Sequence, residues 1–296
     1  MASPATWHIG DTTITSLVEA ETRHVPVEAF YPDASAADVQ PSLAWLPAGM
    51  ADEGGAAITF RVQAFVLRHA GRIILVDPCV GNGKHLNMPF WNGLDLPWLD
   101  ELRACGVEPP DVDLVVHTHL HEDHIGWDTH CVDGEWRPTF PNARHLYVGD
   151  ELEWASSEEV RARDAGPFAE SIEPILRAGL ADEVAADHDL GDGLRLVSTP
   201  GHTPGHVSIE VATTADTLVI TGDLLHHPFQ FAAPDIAEVG DHDADLARRT
   251  RKDFFAEHAR SGAVIAGTHF PVDPVGRVLT DGAGWRYEPT EGGTGL

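Results

Sequence analysis

The chain has 296 residues, with 47 acidic against 19 basic side chains and a formal charge of −28 at pH 7. That balance excludes polyanionic partners, because neutralising phosphates takes clustered Lys and Arg; neither nucleic acid nor an anionic membrane is an expected partner. Hydrophobic residues make up 43%, enough for a packed core, and no apolar run approaches the roughly 20 residues needed to span a bilayer.

In chain order, residues 9–18 read as a β-hairpin about Gly10-Asp11. Residues 20–57 carry Pro26, Pro32, Pro41, Pro47 and Gly54-Gly55 and are expected to be mostly irregular with short helices. Residues 60–76 read as two strands joined at Ala70-Gly71, the second buried on both faces. A loop over 78–97 carries Met88, Phe90, Trp91 and Leu94. A helix follows, with Asp95 in its cap region, Pro97 in its first turn, an apolar stripe at Trp98, Leu99, Leu102 and Cys105, and a stop at Gly106. Strands are predicted at 112–116, 144–148, 194–198, 206–211, 217–221, 263–267 and 275–280. Helices are predicted at 149–155, at 158–179 (broken at Gly166-Pro167 and Pro174) and at 243–260, closed by Ser261-Gly262. The last helix holds the densest basic stretch, Arg248-Arg249-Thr250-Arg251-Lys252, among Asp243, Asp245, Asp253 and Glu257; it reads as a solvated face.

No repeat or long linker divides the sequence, so a single domain over 1–296 is expected, with the irregular segment at about 20–57 inside it. Alternating strands and helices favour helices packed outside a central pair of sheets. Cys79, Cys105 and Cys131 are odd in number and lack CxxC spacing, and residues 1–10 show no basic-then-apolar leader. Reduced thiols and a cytoplasmic location follow as expectations.

Histidine is the unusual residue, with 18 copies. Thr118-His119-Leu120-His121-Glu122-Asp123-His124 follows the apolar run Leu114-Val115-Val116. In extended backbone His119 and His121 leave the same face, and Asp123 and His124 follow where the chain must turn. Imidazole with carboxylate is a ligand set for zinc, iron, manganese or cobalt rather than calcium. Three more fragments end predicted strands: Thr199-Pro200-Gly201-His202-Thr203-Pro204-Gly205-His206, Thr221-Gly222-Asp223 and Gly267-Thr268-His269-Phe270. Each is ordinary alone; together they put ligand-capable residues at one relative position of three strands. His117 reads as a packed residue and His206 as a hydrogen-bonded structural one.

The order HxHxDH, PGHTPGH, TGD and GTHF resembles the metallo-β-lactamase superfamily. That resemblance implies an α/β fold, the αββα four-layer sandwich, with two divalent metal ions, zinc first and manganese, cobalt or iron as alternatives. It assigns His119, His121 and His202 to one ion, Asp123, His124 and His269 to the other, and Asp223 to a bridge. Asp77, closing the strand before Pro78, matches an early Asp that orients ligands. Class B β-lactamases lack the bridging carboxylate, and Ile125-Gly126-Trp127 stands where many relatives read Gly-Gly. The stretch Asp223-Leu224-Leu225-His226-His227-Pro228-Phe229-Gln230 resembles organophosphate hydrolases and their lactonase-like neighbours.

The implied activity is a hydrolase whose metal-bridging hydroxide opens a lactone or cleaves an ester of a neutral, partly apolar small molecule. Asp123 would pass a proton to the leaving alkoxide, with Asp223 as the second catalytic carboxylate. Candidate substrate-pocket residues are His226, Gln230, Phe90, Trp91 and Trp127. The alternatives are a phosphotriester hydrolase with the same centre and a di-iron redox or metal-holding scaffold. By analogy alone, a homodimer is the expected assembly.

Overall fold

The computed structural model describes residues 4–290 and 294–295. It resolves into two compact units, one built on the N-terminal residues up to Glu19 together with Val62–Ala186 and residues 294–295, the other on Ala20–Arg61 and residues 187–290. Strands are numbered along the chain: β1 Ala5–Ile9, β2 Thr12–Pro26, β3 Ala57–His69, β4 Arg72–Val76, β5 Leu114–Val116, β6 Thr129–Val132, β7 Glu135–Pro138, β8 Arg144–Val148 and β9 Ala181–Val184. The later ones are β10 Leu194–Ser198, β11 Val207–Ala212, β12 Thr217–Ile220, β13 Val264–Ala266, β14 Val275–Asp281 and β15 Gly284–Pro289.

In the first unit β4, β5, β8 and β9 run parallel in that order, and β3 pairs with β4 antiparallel. In the central strands Ile74, Leu75, Val76, Val115 and Val116 are wholly buried, as expected of parallel strands covered on both faces. Helices Trp98–Ala104, Gly149–Ser156, Glu158–Arg163 and Glu173–Ala178 belong to this unit. The second unit holds a mixed sheet in the order β10-β11-β12-β13-β14-β15, parallel only between β12 and β13. Its long helix, Ala244–Ser261, starts where Asp243 accepts from Leu246 N at 2.9 Å and stops at Gly262 with φ 73°.

Several expectations are revised. β2 continues to Pro26, into the segment predicted irregular, while the short helices expected there are Val27–Phe30, Ala36–Val39 and Gln40–Ala44. The four-residue strands β6, β7 and β9 were not expected; they alternate too briefly to give a periodic signal. Pro97, not Asp95, occupies the N-cap of Trp98–Ala104, without a side-chain capping bond. Arg251 departs from the solvated-face reading. It is fully buried, donating from Nε to Leu224 O at 2.8 Å and from Nη1 to Ile236 O at 2.7 Å. The guanidinium supplies fixed donors to loop carbonyls that burial would otherwise leave unpaired.

One close approach fixes the first unit around its ligand segment. Gly126 N donates to Cys79 O at 2.7 Å and Trp127 N to Pro78 O at 2.8 Å. A Cβ on Gly126 would stand 1.7 Å from Val80 O, so no side chain fits. Buried Glu19 completes the clamp, accepting from Val80 N, Gly81 N and Trp127 Nε1 at 2.8, 3.1 and 2.7 Å.

Two outcomes follow for stability. Gly126→Ala forces two backbone segments apart and should cost roughly 3 kcal/mol or more, read as a lowered urea midpoint. Lys84 is buried, donating to Thr129 Oγ1 at 2.6 Å, and burial lowers its ammonium from an ordinary 10.5 to about 7, against the opposing pull of Glu170 and Asp128. Between those two values the unfolded chain binds the proton that the native state has released, so stability rises with pH across that window. Lys84→Met should remove this slope in urea titrations run from pH 7 to 10.

Candidate metal centre

In the first unit the parallel register Val76 to Val116 brings Asp77 and the His-rich segment out at one sheet edge. Leu120 and Ile125 sink into a cluster with Tyr147, Ala155, Ile172 and Ile175, a burial worth about 1.5–3 kcal/mol for each large side chain. Leu120 N also donates to the buried Glu151 Oε1 at 3.1 Å. The apolar residues of the motif thus anchor it, and Glu122–Ile125 forms one helical turn.

Asp77 organises what remains. It is fully buried and sits in the left-handed region at φ 51°, a conformation that costs of order 1–3 kcal/mol for a non-glycine residue. It accepts from Thr118 N and Thr118 Oγ1, each at 2.8 Å, and its Oδ2 lies 3.1 Å from His124 Nδ1. With its proton given to Asp77, the Thr118 hydroxyl can only accept from His119 Nδ1, 3.1 Å away. The His119 ring therefore carries a proton on Nδ1 and offers Nε2, and Nδ1 of His124 faces the Asp77 carboxylate. His119 Nε2 stands 3.0 Å from His121 Nδ1, and His124 Nε2 stands 3.6 Å from Asp123 Oδ1. A 3.0 Å spacing suits two ligand atoms each about 2.0–2.1 Å from one zinc ion.

The second unit repeats the device. β12 and β13 pair Ile220 with Ala266, and β10 and β11 turn at the same end, where Ser198 pairs with Val207. His202, Asp223 and His269 therefore leave one edge of one sheet. The His202 turn is seated by Gly201 (φ 138°), whose Cβ would meet Ala247 N at 2.4 Å. His242 N and Asp243 N donate to the carbonyls of His202 and Gly201, each at 2.9 Å.

Asp223 is nearly buried and ringed by imidazoles. His202 Nε2 and His226 Nε2 lie 3.4 and 3.0 Å from its Oδ2, and His269 Nε2 lies 3.1 Å from its Oδ1. His269 Nδ1 donates to Arg61 O at 2.6 Å, and His202 Nδ1 stands 3.2 Å from Asp241 Oδ1 and 3.6 Å from Glu238 Oε2. With Nδ1 committed as donor, the Nε2 lone pairs of His202 and His269 face a carboxylate. Lone pairs aimed at an anion in a buried pocket require a cation there, either a proton or a metal ion. The residues fit a divalent ion on donor chemistry and spacing.

The remaining candidates divide. His206 donates from Nδ1 to Thr199 O and accepts from Asp223 N at Nε2, both at 2.9 Å, a structural role. Burial would pull His226 down, but Asp223, Glu238 and Asp241 outweigh it and push the ring up to about 9. Gln230 is fully buried, its Oε1 accepting from His226 N, His227 N and Tyr31 Oη at 2.8, 3.1 and 3.1 Å. Trp127 is buried and stacked on Trp98 at 5.3 Å, whereas Phe90 is exposed and meets Trp91 edge-on at 5.2 Å. The structure does not group Trp127 with the other two. His117 faces inward, Nδ1 on Leu146 O at 3.1 Å and Nε2 on Asp128 Oδ1 at 3.0 Å. Burial would raise the Asp128 carboxyl, but His117 and His145 hold it well below the ordinary range.

Thr118, Glu151, Glu238, Asp241 and the Arg61 carbonyl were not singled out in the sequence. Glu238 and Asp241 lie in residues 232–243, which carry no motif, and only the folded chain brings them to His202.

A family model described as the metallo-beta-lactamase superfamily matches residues 58–285. N-acyl homoserine lactonase AttM of Rhizobium radiobacter is 31% identical over 173 residues, covering 53% of this chain and 62% of its own length. N-acyl homoserine lactonase of a Bacillus sp is 29% identical over 171 residues, covering 54% and 61%. The chain thus spans about three-fifths of the length of these curated relatives. The crystal structure of AbOPH, a hydrolase in the beta lactamase superfamily, is similar with a TM-score of 0.80 at 27% identity, covering 98% of both chains. AidC, a dizinc quorum-quenching lactonase solved with a product, is similar in fold, with a TM-score of 0.78 at 20% identity over 98% of both chains.

Asp77→Ala should free Thr118 and both imidazoles that depend on it, lowering divalent-metal affinity about 10- to 100-fold. Competition of the purified protein against a chromophoric chelator checks this.

Proposed function

The chain belongs to the metallo-β-lactamase superfamily and has its fold, and on that premise we propose that it is a metal-dependent hydrolase of lactones or esters. The observation that carries the reading is the set of Nδ1 atoms bonded to Thr118, Arg61 and Asp241, which leaves Nε2 of His119, His269 and His202 as ligand atoms, with His124 Nδ1 facing Asp77. Two divalent cations, zinc first, are assigned as the family implies. By the family's motif order His119, His121 and His202 would hold one, Asp123, His124 and His269 the other, and Asp223 would serve both. When bound, the pair supplies positive charge that polarises a carbonyl and acidifies water.

The protein's own groups do the rest. Asp77 and Thr118 fix ring orientation, and the two oxygens of Asp223 face different imidazoles, as a shared carboxylate must. Asp123, 6% exposed, is the carboxylate that would take the proton released by the attacking water and return it to the leaving alkoxide as the acyl carbon–oxygen bond breaks. A formal charge of −28 disfavours anionic substrates, which supports a neutral one. The names of the lactonase relatives support a carboxylic ester or lactone. The stretch from Asp223 to Gln230 supports phosphotriesters as the second reading, with every ligand unchanged.

Chelator-treated protein should lose ester or lactone turnover and recover it on adding zinc, manganese or cobalt. Asp223→Ala should lower kcat/KM by about 10³-fold or more, roughly 4 kcal/mol, in a pH-indicator assay. Release of nitrophenol from a neutral phosphotriester faster than any carboxylester turnover would select the second reading; turnover undisturbed by both treatments would remove the proposal.

A further inference from the structure

One buried cluster of the first unit takes no part in the centre described above. His117, Asp128 and His145 are each 2% exposed or less, and one donor atom from each lies within 4.8 Å of the others. Strand register builds the cluster. β5 and β8 run parallel with Val115 opposite His145 and Val116 opposite Leu146, so His117, one residue past β5, emerges beside Tyr147, the ring centroids 4.9 Å apart. His145 and Tyr147 flank Leu146 and share a face of β8. Asp128 arrives from the turn Gly126–Asp128, whose entry is fixed by the close approach of Gly126 to Val80.

His117 Nδ1 donates to Leu146 O at 3.1 Å, since a carbonyl can only accept. Nε2 of the neutral ring then carries the lone pair, and it faces the Asp128 carboxylate, 3.0 Å from each oxygen. His145 brings a second imidazole to the same group. Its Nδ1 lies 3.2 Å from Asp128 Oδ1, yet among the described residues neither of its ring nitrogens has a hydrogen bond. Tyr147 Oη donates to Asp128 Oδ2 at 2.9 Å and orients the carboxylate.

Nitrogen lone pairs and a carboxylate packed together away from water repel one another unless a cation sits among them. A proton on His117 would answer one of these contacts and leave His145 beside the carboxylate unbonded. One metal ion answers all of them. Two imidazole nitrogens and two carboxylate oxygens make four donor atoms, the number a closed zinc site takes. Spacings of 3.0 and 3.2 Å suit atoms that each stand about 2.0–2.2 Å from one ion. Imidazole with carboxylate selects zinc or cobalt over calcium.

We propose that His117, Asp128 and His145 hold a further divalent ion, zinc or cobalt, in a site closed to solvent that ties the exit of β5 to β8 and to the turn at Asp128. None of the three residues is among the ligands assigned to the reacting centre, so this site stands or falls apart from the hydrolase reading.

The test counts ions on the whole protein. Wild type, His145→Phe and His145→Cys are each loaded with cobalt(II), freed of excess by gel filtration and assayed for metal per chain by mass spectrometry, with folding checked by circular dichroism. His145→Phe should carry one ion fewer than wild type. His145→Cys puts a thiolate where the imidazole stood, and should gain a sulfur-to-cobalt charge-transfer band in the near ultraviolet that wild type lacks. Wherever His145→Phe folds, the count decides: an ion count equal to that of wild type would overturn the proposal and leave a proton as the cation at Asp128. Should His145→Phe fail to fold, the band decides, its presence in His145→Cys upholding the site and its absence removing it.

Discussion

Everything chemical in this protein depends on which nitrogen of each imidazole holds the proton. A histidine ring offers two nearly equivalent atoms, and water would let either serve. Here Asp77 and Thr118 in one unit, and the Arg61 carbonyl and Asp241 in the other, take the Nδ1 proton and leave Nε2 aimed at neighbouring ligand atoms. In the second unit those neighbours are the oxygens of a buried carboxylate. Without a cation this arrangement is repulsive and desolvated, so the fold carries an electrostatic debt that only a bound positive charge removes.

Sheet register is what makes the debt possible. Two parallel pairs, β4 with β5 and β12 with β13, each bring two chain segments to the same edge. A parallel pair needs a long crossover, so the site's residues meet across wide sequence separations: 41 residues part Asp77 from Thr118, and Asp223 is farther still from His269. The close contacts of Gly126 with Val80 and of Gly201 with Ala247 hold the emerging turns in place, where a larger residue would displace them.

The candidate ligand residues could be proposed from sequence because a strand, a turn and a His or Asp are local features, written within eight residues at each of four places. The strands flanking them were legible for the same reason, being apolar runs bounded by Gly or Pro. The partners of the ligands were not. Thr118 looks like any turn threonine, and Glu238 and Asp241 lie in a stretch without pattern. The acceptor for His269 is a main-chain carbonyl, which no side-chain motif can announce. Arg251 was misread for a related reason: a basic run looks solvated until the loop carbonyls that occupy its guanidinium are in place.

The spot where Gly126 touches Val80 also decides where this scaffold can change. No replacement at Gly126 leaves the neighbouring backbone undisturbed, so that column of sequence space is closed to natural drift and to laboratory evolution alike. Within the helical wall over 149–178 the same restriction returns at Gly166, whose Cβ would stand 1.9 Å from His85 O, while Trp154, Phe168 and Ile172 border open volume. Divergence toward new chemistry should therefore accumulate on that wall, while the rigid seam beneath it stays constant.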